Sequence, residues 1–181
     1  MTLRDSVIST LRDWTAPDAA QDALREAMLG FVLARDDACE RACVPGHITG
    51  SALVLDSPGE RVLLTLHPRL QRWVQLGGHC EPEDADIVAA AAREAAEESG
   101  IDGLQMGGLA AVHVHALTCS LGQPTRHLDM QFVARAPSDA EFAISDESLD
   151  LAWWPVGALP DGTDEALAQL VKQALAQTSL E

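Results

Sequence analysis

The chain predicts an α/β fold, with helices packed against one sheet and a helical extension over residues 1–44 in front of it. Three observations predict it. Apolar residues recur at helical spacing through the extension, and from His47 the pattern switches to short, apolar, strand-like runs. An Ala-rich helical segment near residues 84–99 interrupts those runs, so strands and helices alternate. A last amphipathic segment closes the chain after residue 163.

Each element follows from local signals. Leu3, Val7, Ile8, Leu11 and Trp14 repeat at helical spacing. Thr15 and Pro17 stop that helix and restart another, which carries Leu24, Ala27, Met28 and Phe31 on one face and runs toward Cys43. Pro45-Gly46 ends it. These two helices are expected either to pack on the sheet or to build a dimer interface. Residues 47–56 and 61–68 are strand-like runs around a Ser-Pro-Gly-Glu turn, and residues 73–77 form a short strand leading into a Gly pair. Residues 108–119 and 127–136 read as two strands joined by a loop with Gly122 and Pro124. Residues 137–148 are polar and acidic, as a loop is, and residues 149–157 give the last strand. Thr163 is placed to cap a final helix whose inner face carries Leu167, Leu170, Val171 and Ala174.

The length of 181 residues predicts one domain, residues 45–181, behind the extension. The net charge of −16 excludes a basic footprint for duplex nucleic acid. An acidic protein that handles an anionic substrate needs cations to screen the approach. No apolar run reaches the length of a membrane span, and the first residues lack a secretory pattern. Cys39, Cys43, Cys80 and Cys119 are too few for a disulfide framework in a chain of this size and are expected as reduced thiols in a cytoplasmic protein.

The most informative segment is residues 77–101, GGHCEPEDADIVAAAAREAAEESGI. On a helix, Glu94, Glu97 and Glu98 share one face. They crowd the last turn, since Gly100 is a natural stop. The macrodipole disfavours anions there, so the three carboxylates need counter-charge. Arg93 supplies part of it, and a divalent cation would supply the rest.

This segment resembles the Nudix box: a Gly, five residues, a Glu, seven residues, then Arg-Glu-apolar-x-Glu-Glu-x-Gly-apolar. The second half matches throughout, at Arg93, Glu94, Ala95, Glu97, Glu98, Gly100 and Ile101. In the first half, counted from Gly78, the Glu position is Asp84, and eight residues rather than seven separate it from Arg93. With that insertion Asp84 is expected to start the helix as its cap. The order of elements over residues 47–181 is similar to the Nudix fold, which implies an α/β/α sandwich with a mixed sheet. The resemblance implies a hydrolase that cleaves the pyrophosphate bond of a nucleoside diphosphate linked to another moiety. It implies Mg²⁺, or Mn²⁺, bound by Glu94, Glu97, Glu98 and the carbonyl of Gly77, with Arg93 orienting a glutamate. The general base it implies is either Glu94 or a carboxylate of a later loop, here Glu141, Asp146 or Glu147. Clustered carboxylates do suit such hard ions, which can lower the pKa of a bound water and neutralise a diphosphate.

Other constellations are weaker. His113 and His115 share a strand face, as do His127 and Asp129 on theirs, which suits either a transition-metal site or a polar face lining the substrate cleft. Cys39, Cys43 and His47 have helical ligand spacing but no visible fourth ligand, so the cysteines read as buried thiols on a helix. Cys80, in the Gly loop, has no evident activating base. Of Trp153 and Trp154, which alternate, one is expected in the core and the other there or against a base. The competing functions are a nucleotide-sensing Nudix domain without turnover and an isopentenyl-diphosphate isomerase. The complete carboxylate cluster opposes the first, and the absence of the Cys-containing motif before the box opposes the second. The small-nucleotide substrate itself is not legible in the sequence.

Overall fold

The computed structural model describes residues 1–118, 122–145 and 148–178. Helix α1 (Leu3–Asp13) opens on a capping box, in which Thr2 accepts from the Asp5 N–H and Asp5 returns the bond. Helix α2 (Ala19–Ala34) is capped by Asp18 and stops at Arg35, short of Cys43, so Cys39 lies in a turn and Cys43 in the irregular segment after it rather than on a helix. Strands β1 (His47–Leu55), β2 (Arg61–His67), β3 (Arg72–Val74) and β4 (Leu76–His79) follow. Helix α3 (Ile87–Ser99), strands β5 (Gln105–Thr118), β6 (Pro124–Arg135) and β7 (Asp150–Pro155), and helix α4 (Glu165–Thr178) complete the chain. The cap of α4 is Asp164, whose carboxylate accepts from the Leu167 N–H at 2.9 Å. The Thr163 hydroxyl instead donates to the Pro160 carbonyl.

The strands form one mixed sheet. β1 and β6 run parallel and every other pair is antiparallel. The expected single strand over residues 73–77 is two. β3 pairs with β2 at Thr65–His67, and after Gln75 β4 crosses to pair with β1 at Thr49–Ala52. β1 and β2 pair directly only at Val54–Leu55 and Val62–Leu63, so they diverge like a fork, and β3–β4 fills the opening. This crossing carries the Gly pair to the neighbourhood of α3.

Strand alternation sorts the two faces. Ile48, Ala52 and Val54 of β1 face α1, α2 and α3 together with Met130, Phe132 and Ala134 of β6. Leu53 and Leu55 face α4 through Leu167, Leu170, Val171 and Ala174. The arrangement is an α/β/α sandwich. The N-terminal helices pack on the sheet: Val7, Leu11, Met28 and Val32 are buried in the same cluster as Ile87, Ala91 and Val112. Polar contacts fix them further. Gln21 of α2 both donates to and accepts from the Val112 backbone of β5, and the Ser6 hydroxyl of α1 accepts from the Ile87 N–H at the start of α3.

Candidate active site

Helix α3 reaches the sheet closely because its inner residues are small. Ala90, Ala91 and Ala95 are buried, and Ala91 lies against Gly50 of β1. Asp86 caps the helix by accepting from the Ala89 N–H, and Gly100 ends it in the left-handed conformation. The last turns present Glu94 and Glu98 toward the Gly pair of β4, while Glu97, more exposed, reaches Arg93. Glu98 is 9% exposed and accepts from the Gly77 N–H at 2.9 Å. Glu94 sits directly over Gly78: a Cβ there would lie 2.5 Å from its Oε2. A Cβ on Gly77, whose φ is +153°, would lie 2.5 Å from the Ser51 Cα. The Gly77 position therefore excludes any side chain, whereas a side chain at Gly78 would have to displace the Glu94 carboxylate.

Arg93 ties the cluster together. Its guanidinium donates to both oxygens of Asp84 (3.0 and 3.1 Å), to Glu94 (3.1 Å), to Glu97 (3.0 Å) and to the His79 carbonyl (2.9 Å). The hydrogen bonds to Asp84 push its pKa further up. Burial raises the Asp84 carboxyl, but the Arg93 contacts outweigh burial and hold it below the usual carboxylate range. One guanidinium thus stands among Asp84, Glu94 and Glu97, with Glu81 at 3.8 Å, and leaves net negative charge at the site. Oxygen donors in excess of their cations fit a hard divalent ion.

The opposite face of the sheet, beyond the reach of α4, is polar. His47, Thr49 and Ser51 of β1 lie beside His127, Asp129 and Gln131 of β6 in register. His115 lies opposite His127, and His113 opposite Asp129. Asp129 is 2% exposed and accepts from Thr49 (2.9 Å), Ser51 (2.6 Å), Gln75 (3.3 Å) and Gln131 (3.1 Å). Its oxygens are engaged by these donors, and among the described residues the ligand atoms of His113, His115, His127 and Asp129 do not converge as a group. Burial pushes His127 down to about 3 and His79 to about 4, and it lowers His47 and His115.

The NUDIX domain family model matches residues 46–174. The chain belongs to the Nudix hydrolase family. Solved structures agree. A NUDIX-family hydrolase from Clostridium perfringens is 25% identical, with 75% of this chain and 98% of that one covered and a TM-score of 0.51. The E. coli dihydroneopterin triphosphate pyrophosphohydrolase (20% identity, 72% and 95% covered, TM-score 0.58) shares the fold. So does a UDP-X diphosphatase (16% identity, 98% and 97% covered, TM-score 0.56), and at that coverage the match takes in the N-terminal helices. A comparison with curated proteins finds no match.

The Nudix box absorbs its extra residue in the loop before α3. Asp84 and Glu81 bond each other's backbone there, through Asp84 N–H to Glu81 O and Glu81 N–H to Asp84 Oδ2. Asp84 is consequently not the helix cap that the spacing suggests. It is the buried anchor of Arg93. The later acidic loop is tied to the end of α3 by the Ala143 N–H donating to the Ser99 carbonyl, and its Glu141 is exposed. Asp146 and Glu147 lie outside the described residues, as does Cys119. Cys80 is buried, and burial pushes its thiol well above the ordinary value, which suits an inert thiol rather than a nucleophile. Trp153 and Trp154 both pack on hydrophobic clusters, Trp154 edge-on to Trp73 at 5.3 Å and Trp153 under Arg61. The sequence reading missed His79, Thr49, Ser51, Gln75 and Gln131. Polar residues at alternate positions 47, 49 and 51 of an otherwise apolar strand were the available signal.

Two predictions arise here. In Gly78→Ala the new Cβ falls on a flexible carboxylate, so the fold survives and Glu94 is displaced. Turnover should fall by ~10²-fold, on the scale of an ångström-size misplacement, with little change in Tm; unchanged turnover would show that the Glu94 position is immaterial. The second concerns pH. His47 and His127 take up protons in the unfolded chain near pH 6.5 but resist them in the fold. Their stabilisation is complete above about pH 6.5 and is lost as pH falls, by up to ~1.4 kcal/mol per pH unit for each. Denaturant titrations from pH 7 to pH 4 measure it, and a flat profile above pH 5 would contradict the burial of neutral rings.

Proposed function

We propose that this Nudix hydrolase is Mg²⁺-dependent and cleaves the pyrophosphate bond of a nucleoside diphosphate linked to another moiety, in the cytoplasm. The observation that carries the reading is the carboxylate cluster of α3, with Glu98 and Glu94 held against Gly77 and Gly78 and the guanidinium of Arg93 between Glu94 and Glu97. These glutamates, with the Gly77 carbonyl, would hold the ion, and Mn²⁺ suits the same donors. When bound, the ion screens the diphosphate and lowers the pKa of an attacking water. Arg93 fixes the rotamers of Glu94 and Glu97, so the donor set is organised before substrate arrives. The general base would be Glu94, set between Arg93 and Gly78, or a carboxylate of the later loop. On this reading, His113 and His115 of the polar face would contact the moiety beyond the diphosphate where it reaches past the sheet edge. The acidic chain offers little to a long polyanion, which favours compact substrates. Architecture shared with a UDP-X diphosphatase through the N-terminal helices supports the diphosphate-linked class.

The test is a substrate panel with Mg²⁺ that includes nucleoside di- and triphosphates, ADP-ribose, NDP-sugars and dinucleoside polyphosphates. Phosphate release and chromatography should show a nucleoside monophosphate or a phosphorylated fragment from at least one compact member. Hydrolysis of phosphate monoesters alone, or of RNA caps while the panel stays inert, would overturn the reading.

A further inference from the structure

The polar sheet face holds a second donor set that the carboxylate chemistry leaves unused. Three strands each contribute an imidazole. Parallel register sets His47 beside His127, and antiparallel register sets His79 opposite Thr49, two residues along the same face from His47. The ring centroids lie 5.1 Å (His47–His79), 5.0 Å (His47–His127) and 4.8 Å (His79–His127) apart. One ring nitrogen from each lies within 4.8 Å of the others.

The hydrogen bonding of two of these rings, His47 and His127, is incomplete in a directed way. Nδ1 of His47 lies 3.3 Å from the Cys43 carbonyl, which can only accept, so Nδ1 carries the proton and Nε2 is a bare lone pair. His47 is 1% exposed, and its Nε2 has no hydrogen-bond partner. Nε2 of His127 is also buried without a partner. Buried polar nitrogens are normally satisfied, and those that are not call for a missing ligand or ion.

We propose that His47, His79 and His127 bind a divalent transition-metal ion of the zinc class. Imidazole donors select zinc or a similar borderline ion, whereas Mg²⁺ requires oxygens. Zn–N bonds of about 2.0–2.1 Å in a tetrahedral site bring ligand nitrogens to about 3.3 Å from one another, so modest ring rotations close the site. The Cys43 carbonyl plays the outer-shell part, holding His47 in the ligating tautomer. His115, its ring centroid 5.2 Å from that of His127, borders the remaining side. The set is separate from the carboxylates although β4 serves both. Gly78 faces Glu94, and His79, the next residue, projects to the other face. An ion here joins β1, β4 and β6 and so braces the strand that carries Gly77 and Gly78.

The full chain, stripped by chelator and exchanged into excess Mg²⁺, is titrated with Zn²⁺ and dialysed against Mg²⁺ buffer. The expected results are one retained zinc per chain by elemental analysis, a Tm above that in Mg²⁺ alone, and tetrahedral visible absorption when Co²⁺ replaces zinc. His79→Ala and His127→Ala should each lose the bound equivalent, while Glu97→Gln retains it. Circular dichroism checks that the variants fold, and if either does not, the Co²⁺ spectrum of the unaltered chain decides. No retained zinc and no tetrahedral spectrum would overturn the proposal. So would zinc retained by both folded histidine variants, or lost in Glu97→Gln.

Discussion

Replacing Glu97 by Gln should lower kcat by at least ~10²-fold, the scale of removing one electrostatic stabiliser from a preorganised site, with folding unaffected. The position makes this a clean test. The Glu97 side chain is 59% exposed, and its contact with Arg93 is a helix-surface pair of small stabilising value. Activity loss without loss of Tm would then report chemistry rather than unfolding. Steady-state kinetics and thermal denaturation of the same preparation separate the two, and near-normal kcat would remove Glu97 from the site.

Arg93→Lys should lose activity on a similar scale, ~10²-fold, because the substitution misplaces two carboxylates at once. The guanidinium spans Asp84, Glu94, Glu97 and the His79 carbonyl, and an ammonium cannot reproduce that planar fork. Stability should fall as well, by about 2 kcal/mol, since Asp84 is left buried with a poorer partner. Asp84→Asn should share the defect in milder form, because it keeps one acceptor and loses the charge. Kinetics with normal kcat in Arg93→Lys would reduce Arg93 to a surface partner.

The parts of this site that were legible in the sequence are those that depend on near neighbours. Glu94, Glu97 and Glu98 share a face because helical periodicity is local, and Gly100 marks the end of the helix for the same reason. The role of Asp84 was not legible. It depends on a loop that folds back through the Glu81–Asp84 bonds and on Asp86 and Ser6 satisfying the start of α3 instead. The split of residues 72–79 into β3 and β4 was hidden too, since Gln75 carries no breaker signal and the crossing is decided by which strand each half pairs with. His47 illustrates the limit most sharply. Its sequence neighbours suggested a set with Cys39 and Cys43, whereas its spatial neighbours, His79 and His127, are 32 and 80 positions away along the chain.

On the proposed reading, hydrolysis runs through a hard divalent ion held by the α3 carboxylates. Turnover of the best panel substrate by chelator-stripped protein, before and after addition of Mg²⁺ alone, tests it most directly. No turnover is expected in chelator, with full recovery on Mg²⁺ in the unaltered chain and none in Glu97→Gln. Full activity in chelator, or recovery by Zn²⁺ but not by Mg²⁺, would contradict it.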